Sequence, residues 1–255
     1  MRLFDFCSIP YEETETDYTT TCMWCATHEK LSVSKEEGHV FQCWYCKETG
    51  NAISLMRKFY ETLPPLTMRQ AKAFCAIKPG VTPSVLRSEG IKCESGDYWF
   101  PIHNPRKDII ALHKYNTEAN ITYSSPKPWN CSIMGLGSLT GSKEVWVAEG
   151  HADYLVLRSV LDKVQSPPDL IGTAGSAFSA NYLYLLDNKE VVLLFDNDEA
   201  GEYGVTSVAK RLKSGGHAIT SLHCLDWKSI TVPQHTHLPS GFDIRDLHNA
   251  LSGTP

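Results

Sequence analysis

The chain has 255 residues, 42% of them hydrophobic and 21% charged, so it can bury a core and is not disordered as a whole. It has no apolar run near the length of a membrane span and no signal-peptide core at its N-terminus, so we expect neither membrane insertion nor secretion. The net charge of −5 is unevenly distributed along the chain. The middle segment, residues 51–143, carries 12 basic and 6 acidic side chains. Residues 1–50 carry 4 basic and 9 acidic side chains, and residues 144–255 carry 8 basic and 14 acidic side chains. This middle segment can contact nucleic acid, although a solvated lysine-rich surface has the same composition.

The first segment, to about Ala52, has too few aliphatic residues for a core of its own and needs a covalent or metal link. Cys22 and Cys25 form one CxxC pair, and Cys43 and Cys46 form a second pair after seventeen residues. Four thiolates at this spacing predict a structural zinc site of the zinc-ribbon type. A chance pairing or a dithiol redox site is the alternative.

Five aromatic or imidazole side chains surround the two CxxC pairs. We expect Phe41 and Tyr45 to pack in the small core beside Trp24. Trp44 and His39 are candidates for stacking on unpaired template bases, because every base offers a π-face; core packing is the alternative for both.

Helices and then a hairpin are predicted in the middle of the chain. Residues 53–60 are amphipathic and end before two prolines, residues 66–77 form a second helix, and a third starts with Thr82 as N-cap and Pro83 at the first helical position. Apolar runs at 98–102 and 109–115 flank the turn-forming residues 104–108, which predicts two paired strands.

From Lys143 onward, strand and helix patterns alternate. Strands are predicted at 144–148, 169–173, 190–195 and 217–223, with helices at 151–161, 179–187 and 199–214. The unbroken apolar run at 191–195 is typical of a strand buried on both faces. The alternation predicts an α/β fold with a mostly parallel sheet, of the Rossmann-like kind.

Acidic residues follow two of these strands. Glu149 ends the first strand with Asp153 one helical turn later, Asp196 and Asp198 end the third strand, and Asp243 lies further on. Ligands of parallel sheets bind at the carboxyl ends of strands, so these carboxylates are expected to meet. Clustered carboxylates favour Mg²⁺ or Mn²⁺, and two such ions can assist phosphoryl transfer. Each acid alone is equally compatible with a solvated loop or a helix cap.

The sequence resembles a known family at several of these positions. Glu149-Gly150 with Asp153, followed by Asp196-Asn197-Asp198, is similar to the TOPRIM signature shared by DnaG-type primases, type IA and II topoisomerases, OLD-family nucleases and RecR-like repair proteins. The order of zinc ribbon, basic middle and TOPRIM resembles DnaG-type primases, most of all the primase half of bacteriophage primase–helicases. Further matching positions are Gly38-His39, Phe100-Pro101-Ile102, residues 111–114, residues 195–201 and Asp243.

The resemblance implies a domain organisation and a set of roles. It implies a template-recognition zinc ribbon at 1–52, a helical linker at 53–95, a basic subdomain of the primase core at 96–142 and a catalytic TOPRIM domain at 143–255. It places Glu149, Asp153, Asp196, Asp198 and Asp243 in catalysis, with Glu149, Asp196 and Asp198 binding Mg²⁺ or Mn²⁺. Glu149 as a general acid or base is an open alternative. Lys114, and less strongly Arg106 and Lys107, are implied nucleotide contacts, and the small-residue loop at 173–177 lets backbone amides approach phosphate.

The implied activity is synthesis of short RNA primers on single-stranded DNA by two-metal nucleotidyl transfer from NTPs. A replicative helicase acting in trans and a cytoplasmic location in a bacterial or phage-infected cell are implied as well. Two departures from the family pattern are that the chain stops shortly after Asp243 and that residues 121–130 lack the expected basic motif. The alternatives are a TOPRIM metal-dependent nuclease or phosphatase-like hydrolase, a RecR-like DNA-binding clamp, and a primase retained as a scaffold.

Overall fold

The computed structural model describes residues 3–36, 39–124, 133–173, 180–232 and 238–252. The chain divides into two compact units. The first is built from residues within 1–65, 90–102 and 108–131, and the second from residues within 66–89, 103–107 and 132–255. Among the described helices, none is both long enough and apolar enough to cross a bilayer.

A short helix and a five-stranded sheet begin the first unit. Helix α1 (Leu3–Cys7) precedes strands that are neighbours in chain order and pair antiparallel: β1 (Glu12–Glu13), β2 (Asp17–Thr20), β3 (Leu31–Ser34), β4 (Phe41–Cys43) and β5 (Thr49–Gly50). Burial alternates along β3, where Leu31 and Val33 face the core. This period of two is the signature of a sheet with one covered face.

The core of the first unit is shared between the ribbon and the segments that follow it. These are α2 (Ala52–Thr62) and a second sheet in the order β6 (Lys92–Glu94), β7 (Asp97–His103), β8 (Ile109–Asn116) and β9 (Ile121–Ser124). Asn51 caps α2 by accepting a hydrogen bond from the Ser54 amide. Residues from α1, β3, β4 and α2 pack in one cluster with Trp99 and Leu112. The ribbon therefore uses a shared core, which agrees with its low aliphatic content.

Two short helices belong to the second unit. Helix α3 (Met68–Ile77) starts with a capping box between Thr67 and Gln70. Helix α4 (Pro83–Ser88) has Thr82 as N-cap and Pro83 in its first turn, as predicted. The amide of Thr82 also donates to the Ser159 hydroxyl, which links the start of α4 to α5 (His151–Leu161).

A four-stranded parallel sheet is the centre of the second unit. Its order is β11 (Asp169–Gly172), β10 (Glu144–Ala148), β12 (Glu190–Leu194) and β13 (Ser221–Cys224), and every neighbouring pair is parallel. Helix α6 (Glu199–Ser214) follows β12, and α7 (Ile244–Ser252) comes last. The predicted fold class, a zinc ribbon followed by a Rossmann-like α/β unit with a parallel sheet, is confirmed.

Several elements differ from the sequence prediction. Residues Ala180–Leu186 form a 3₁₀-helix instead of an α-helix. Strand β13 starts at Ser221, where its pairing with β12 begins, rather than at 217. The ring of His217 contacts Asp187 before the strand starts. Helix α7 has no counterpart in the prediction.

Candidate functional site

Four cysteine sulfurs of the first unit converge. The Sγ atoms of Cys22 and Cys46 are 3.8 Å apart, as are those of Cys25 and Cys43, and all four lie within 4.8 Å of one another. Ligands about 2.3 Å from a tetrahedral zinc stand roughly 3.8 Å from each other. The donor set and its spacing therefore fit structural zinc, with no position left for a substrate.

The two CxxC turns have matching backbones. Ala26 and Lys47, each one residue beyond its pair, have positive φ angles and donate amide hydrogen bonds to the carbonyls of Cys22 and Cys43. Thr27 hydrogen-bonds to the Cys25 sulfur and lowers the pKa of that thiol to about 6. A lowered pKa favours the thiolate, the form that binds zinc.

The aromatic side chains of the ribbon divide between core and surface. Phe41 is buried and stacks on Trp24 with ring centroids 4.9 Å apart. Trp44 and Tyr45 are 60% and 69% exposed, so the expectation that Tyr45 packs in the core is wrong. Both lie inside the second CxxC turn, between β4 and β5. His39 is half-buried and its Nδ1 lies 2.9 Å from the Ser34 carbonyl oxygen.

In the second unit, Glu149 and Asp196 meet at the carboxyl edge of the parallel sheet. They follow the adjacent strands β10 and β12, whose last residues pair in register. Glu149 is buried, and its Oε2 accepts a hydrogen bond of 2.9 Å from the Asp196 amide. This bond fixes the Glu149 carboxylate beside the Asp196 backbone.

Asp198 is the N-cap of α6. Its Oδ1 accepts a hydrogen bond of 2.7 Å from the Gly201 amide. A Cβ atom on Gly201 would stand 2.2 Å from the Asp196 carbonyl oxygen, so only glycine lets the helix start this close to the strand end. Glycine at 201 therefore brings Asp196 and Asp198 to the same corner.

Asp153 and Asp243 form a second pair, bridged by Arg245. Both carboxylates are about 5% exposed. Arg245 Nε lies 3.3 Å from Asp153 Oδ1 and donates to Asp243 Oδ2 at 3.0 Å, and its Nη2 donates to the same Asp243 oxygen. Asp243 Oδ1 also accepts from the Asp246 amide, so Asp243 is the N-cap of α7.

The carboxylates are held close enough to perturb one another. Burial raises the pKa of Asp196 to about 7, and the charges of Asp153, Glu149, Asp243 and Asp198 add to the shift. Burial, with the Asp243 charge, raises the pKa of Asp153 to about 6 even though Arg245 opposes the change. Burial also raises the pKa of Glu149. All five acids therefore belong to one electrostatic cluster.

The cluster fits a divalent ion by its chemistry. All donors are carboxylate oxygens, the ligands that Mg²⁺ and Mn²⁺ prefer. Asp196 Oδ1 is buried and has no hydrogen-bond partner among the described residues, whereas Asp153 Oδ1 is ion-paired with Arg245. Within the same residues, no set of three carboxylates is drawn as closely together as the four cysteine sulfurs.

A cavity of about 450 Å³ adjoins Asp196. Its apolar floor includes Leu193, Phe195 and Val205, and polar groups at its rim include Glu202 and Lys228. Trp227 forms one wall, fixed by its Nε1 bond to the Phe195 carbonyl and an edge contact with Phe242. The volume suits a nucleoside-sized ligand.

The predicted nucleotide contacts are dispersed. Lys114, in the first unit, is buried: its Nζ donates to the Phe6 carbonyl at 3.1 Å and lies 3.5 Å from Asp97 Oδ2. The ring of Trp99 lies 5.2 Å from the same ammonium. Arg106 and Lys107, which belong to the second unit, are exposed in the turn between β7 and β8. Lys114 thus has a structural role that sequence reasoning missed.

Comparisons with known proteins agree with this architecture. Residues 146–230 match the family described as Toprim-like. These residues are the part of the chain that is similar to the Toprim-like family. A DNA helicase/primase of Enterobacteria phage T3 is 32% identical over 91 residues, which are 34% of this chain and 16% of the phage protein.

Solved structures extend the likeness beyond the Toprim-like domain. The primase fragment of the bacteriophage T7 primase–helicase matches over 96% of both chains with a TM-score of 0.53 and 14% identity. A DnaG primase catalytic domain bound to ssDNA matches with a TM-score of 0.58 and 14% identity, over 79% of this chain and 75% of its own. The resemblance to DnaG-type primases is confirmed for the fold.

Sequence reasoning missed several residues around the Toprim-like acids. Arg245, Gly201 and Trp227 were not singled out, although the position of Arg245 two residues after Asp243 was a usable signal. The small-residue loop predicted at 173–177 lies outside the described residues from 174 onward. Gly38 of the Gly38-His39 match lies outside them too.

Proposed function

We propose that the protein is a DNA primase that joins ribonucleotides on a single-stranded DNA template. The observation that carries the proposal is the pairing of Glu149 with Asp196 at the carboxyl ends of adjacent parallel strands, with Asp198 at the start of the next helix. This is the edge at which parallel sheets bind ligands. The phage T3 and T7 relatives, named as primases joined to helicases, support the same assignment.

The carboxylates set what the site can bind. Glu149, Asp196 and Asp198 would hold the divalent ion, with Asp153 and Asp243 behind them. A bound ion would supply the positive charge that stabilises phosphate oxygens during nucleotidyl transfer, and the resemblance implies two such ions. Because the pKa of Asp196 is about 7, its carboxyl is partly protonated at neutral pH until a cation binds.

Other residues would position the substrates. The cavity beside Asp196 has room for the base and sugar of an NTP, with the phosphates directed toward the carboxylates. Exposed Trp44 offers a stacking surface for template bases, and His39 lies two residues before the buried Phe41 on the same ribbon. Arg106 and Lys107 are free to reach phosphates, whereas Lys114 would need to leave its buried contacts. A helicase in trans remains part of the proposal through the named relatives.

The test is primer synthesis by the zinc-loaded full chain. The protein is incubated with ssDNA of varied sequence, labelled NTPs, and Mg²⁺ or Mn²⁺, and dinucleotides are resolved by electrophoresis. We expect Asp196→Asn and Asp198→Asn to abolish synthesis. Asparagine is as good an N-cap as aspartate, so Asp198→Asn removes charge while keeping the α6 cap. Exposed Asp162, just after α5, provides the control Asp162→Asn.

The outcomes separate this proposal from its alternatives. Cleavage of DNA without incorporation would replace the primase with a nuclease that uses the same acids. Binding of ssDNA with neither reaction would favour a RecR-like clamp or a scaffold. Synthesis that survives both Asp196→Asn and Asp198→Asn would refute the assigned site.

A further inference from the structure

The five acids are not equivalent, because within the part of the chain that the structure describes only Asp153 and Asp243 form an ion pair with a basic side chain. Arg245 contacts both Asp153 and Asp243, which lie on or next to different helices, α5 and α7. Within the described residues, no lysine or arginine forms an ion pair with Glu149, Asp196 or Asp198. Their nearest compensation comes from backbone amides.

Lys78 and Asp246 are further charged groups that interact with Arg245. Lys78 interacts electrostatically with Asp153, Asp243 and Arg245, and Asp246 faces Arg245 from its own helix. Burial alone would lower the pKa of Arg245, but the neighbouring carboxylates raise it. The guanidinium is thus held as a permanent cation in a partly buried position.

We propose that Arg245 takes the place of a second divalent ion, so that the resting protein binds one such ion, at Glu149, Asp196 and Asp198. This inference rests on the metal site of the proposed function. It changes the two-ion expectation for the free enzyme: the positive charge on the Asp153–Asp243 side is supplied by the chain itself.

The geometry explains why an ion would not displace Arg245. A divalent ion on that side would have to break the contacts of the guanidinium to two carboxylates and leave its charge partly buried and unpaired. Mg²⁺ and Mn²⁺ also require oxygens arranged around them, yet Asp243 is already engaged by the Asp246 amide as well as by Arg245. On the Glu149 side, backbone amides engage Glu149 Oε2 and Asp198 Oδ1, but no guanidinium among the described residues has to be displaced, and Asp196 Oδ1 has no hydrogen-bond partner there.

The test counts bound Mn²⁺ on zinc-loaded full-length protein by electron paramagnetic resonance and calorimetry, without substrates. We expect one ion per wild-type chain and two per Arg245→Met chain, because methionine keeps much of the side-chain volume and removes the charge. Arg245→Lys retains a cation and is expected to bind one ion. Asp196→Asn should lose the first ion in every background.

A second variant keeps the test decisive if Arg245→Met does not fold. Asp153→Asn in the wild-type background is expected to leave one ion bound, with a weaker affinity because the Asp153 charge no longer acts at Asp196, and Asp162→Asn serves as its matched control. Two ions in the wild type, one of them lost in Asp153→Asn, would refute the role of Arg245 while leaving the metal site intact. One ion in Arg245→Met, or two in Arg245→Lys, would also refute it. No Mn²⁺ in any form would overturn the proposed metal site itself.

Discussion

Asp196→Asn is expected to stabilise the metal-free protein at neutral pH, although it removes a site residue. Burial raises the pKa of the Asp196 carboxyl from its usual 3.8 to about 7. A carboxyl with a raised pKa contributes stability that is complete below the unfolded pKa and is lost as pH rises through the folded one. The folded state is therefore weakened between about pH 4 and pH 7, and asparagine has no such penalty.

The size of the effect follows from the shift. Ionising Asp196 at pH 7.5 would cost about 4 kcal/mol if the shift of roughly three pKa units were fully expressed. Because the side chain is only about half buried, solvent screening reduces this to about 2 kcal/mol. At pH 5.5 the same calculation gives about half of that value.

Urea unfolding without Mg²⁺ measures the stability difference between the metal-free proteins, and unfolding with Mg²⁺ measures the stabilisation by the bound ion. In chelator-free buffer, the free energy of unfolding of Asp196→Asn should exceed that of the wild type by about 2 kcal/mol at pH 7.5 and by about 1 kcal/mol at pH 5.5. Mg²⁺ at a hundredfold excess over its dissociation constant should stabilise the wild type by about 2.7 kcal/mol and leave the variant unchanged. The control Asp162→Asn should follow the wild type. A metal-free variant less stable than the wild type at pH 7.5 would refute the electrostatic reasoning.

Three further outcomes are expected. Cys46→Ser should lose zinc and the order of the ribbon, measured by metal content and circular dichroism, while Cys224→Ser, also at an exposed cysteine, should keep its zinc. Lys114→Met should lower the free energy of unfolding, measured in urea, by about 2–3 kcal/mol. The loss is smaller than for a fully buried ion pair, because Asn116 still donates to Asp97. Unchanged stability with weaker NTP binding would instead favour a nucleotide role for Lys114. Val205→Trp should fill the cavity and weaken NTP binding at least tenfold in calorimetry. The control Val160→Trp, on the exposed face of α5, should leave NTP binding unchanged. Equal affinities of the two variants would show that the cavity does not bind the NTP.

Local chemical signals account for the elements that the sequence predicted well. Helix α6 spans Glu199–Ser214 as predicted, because Asp198 caps its start and glycines follow its end. The four strands of the parallel sheet were expected from the alternation of strand and helix patterns, and β12 also from its unbroken apolar run. Such signals lie within a few residues of one another and do not depend on contacts between distant segments.

The errors come from contacts between distant segments. The nucleotide contact that the resemblance implies for Lys114 stays a prediction, but the contacts of Lys114 with Asp97 and Trp99 depend on the register of β7 and β8 and could not be read from the sequence. Helix α7 was not predicted, although Asp243 and Asp246 form a reciprocal capping pattern at its start. The bridge from Arg245 to Asp153 depends on how α5 and α7 pack, which no local pattern encodes.

Helix starts explain how so much negative charge is tolerated in one place. Asp198 and Asp243 are the N-caps of α6 and α7, and Asp153 lies in the first turn of α5. Each carboxylate therefore faces the positive end of a helix dipole, an effect of about 0.3–1 kcal/mol per group. Glu149 and Asp196 cap no helix, and they have no cation partner among the described side chains. The least compensated charge thus lies at the ends of β10 and β12, which is where a divalent ion gains the most by binding.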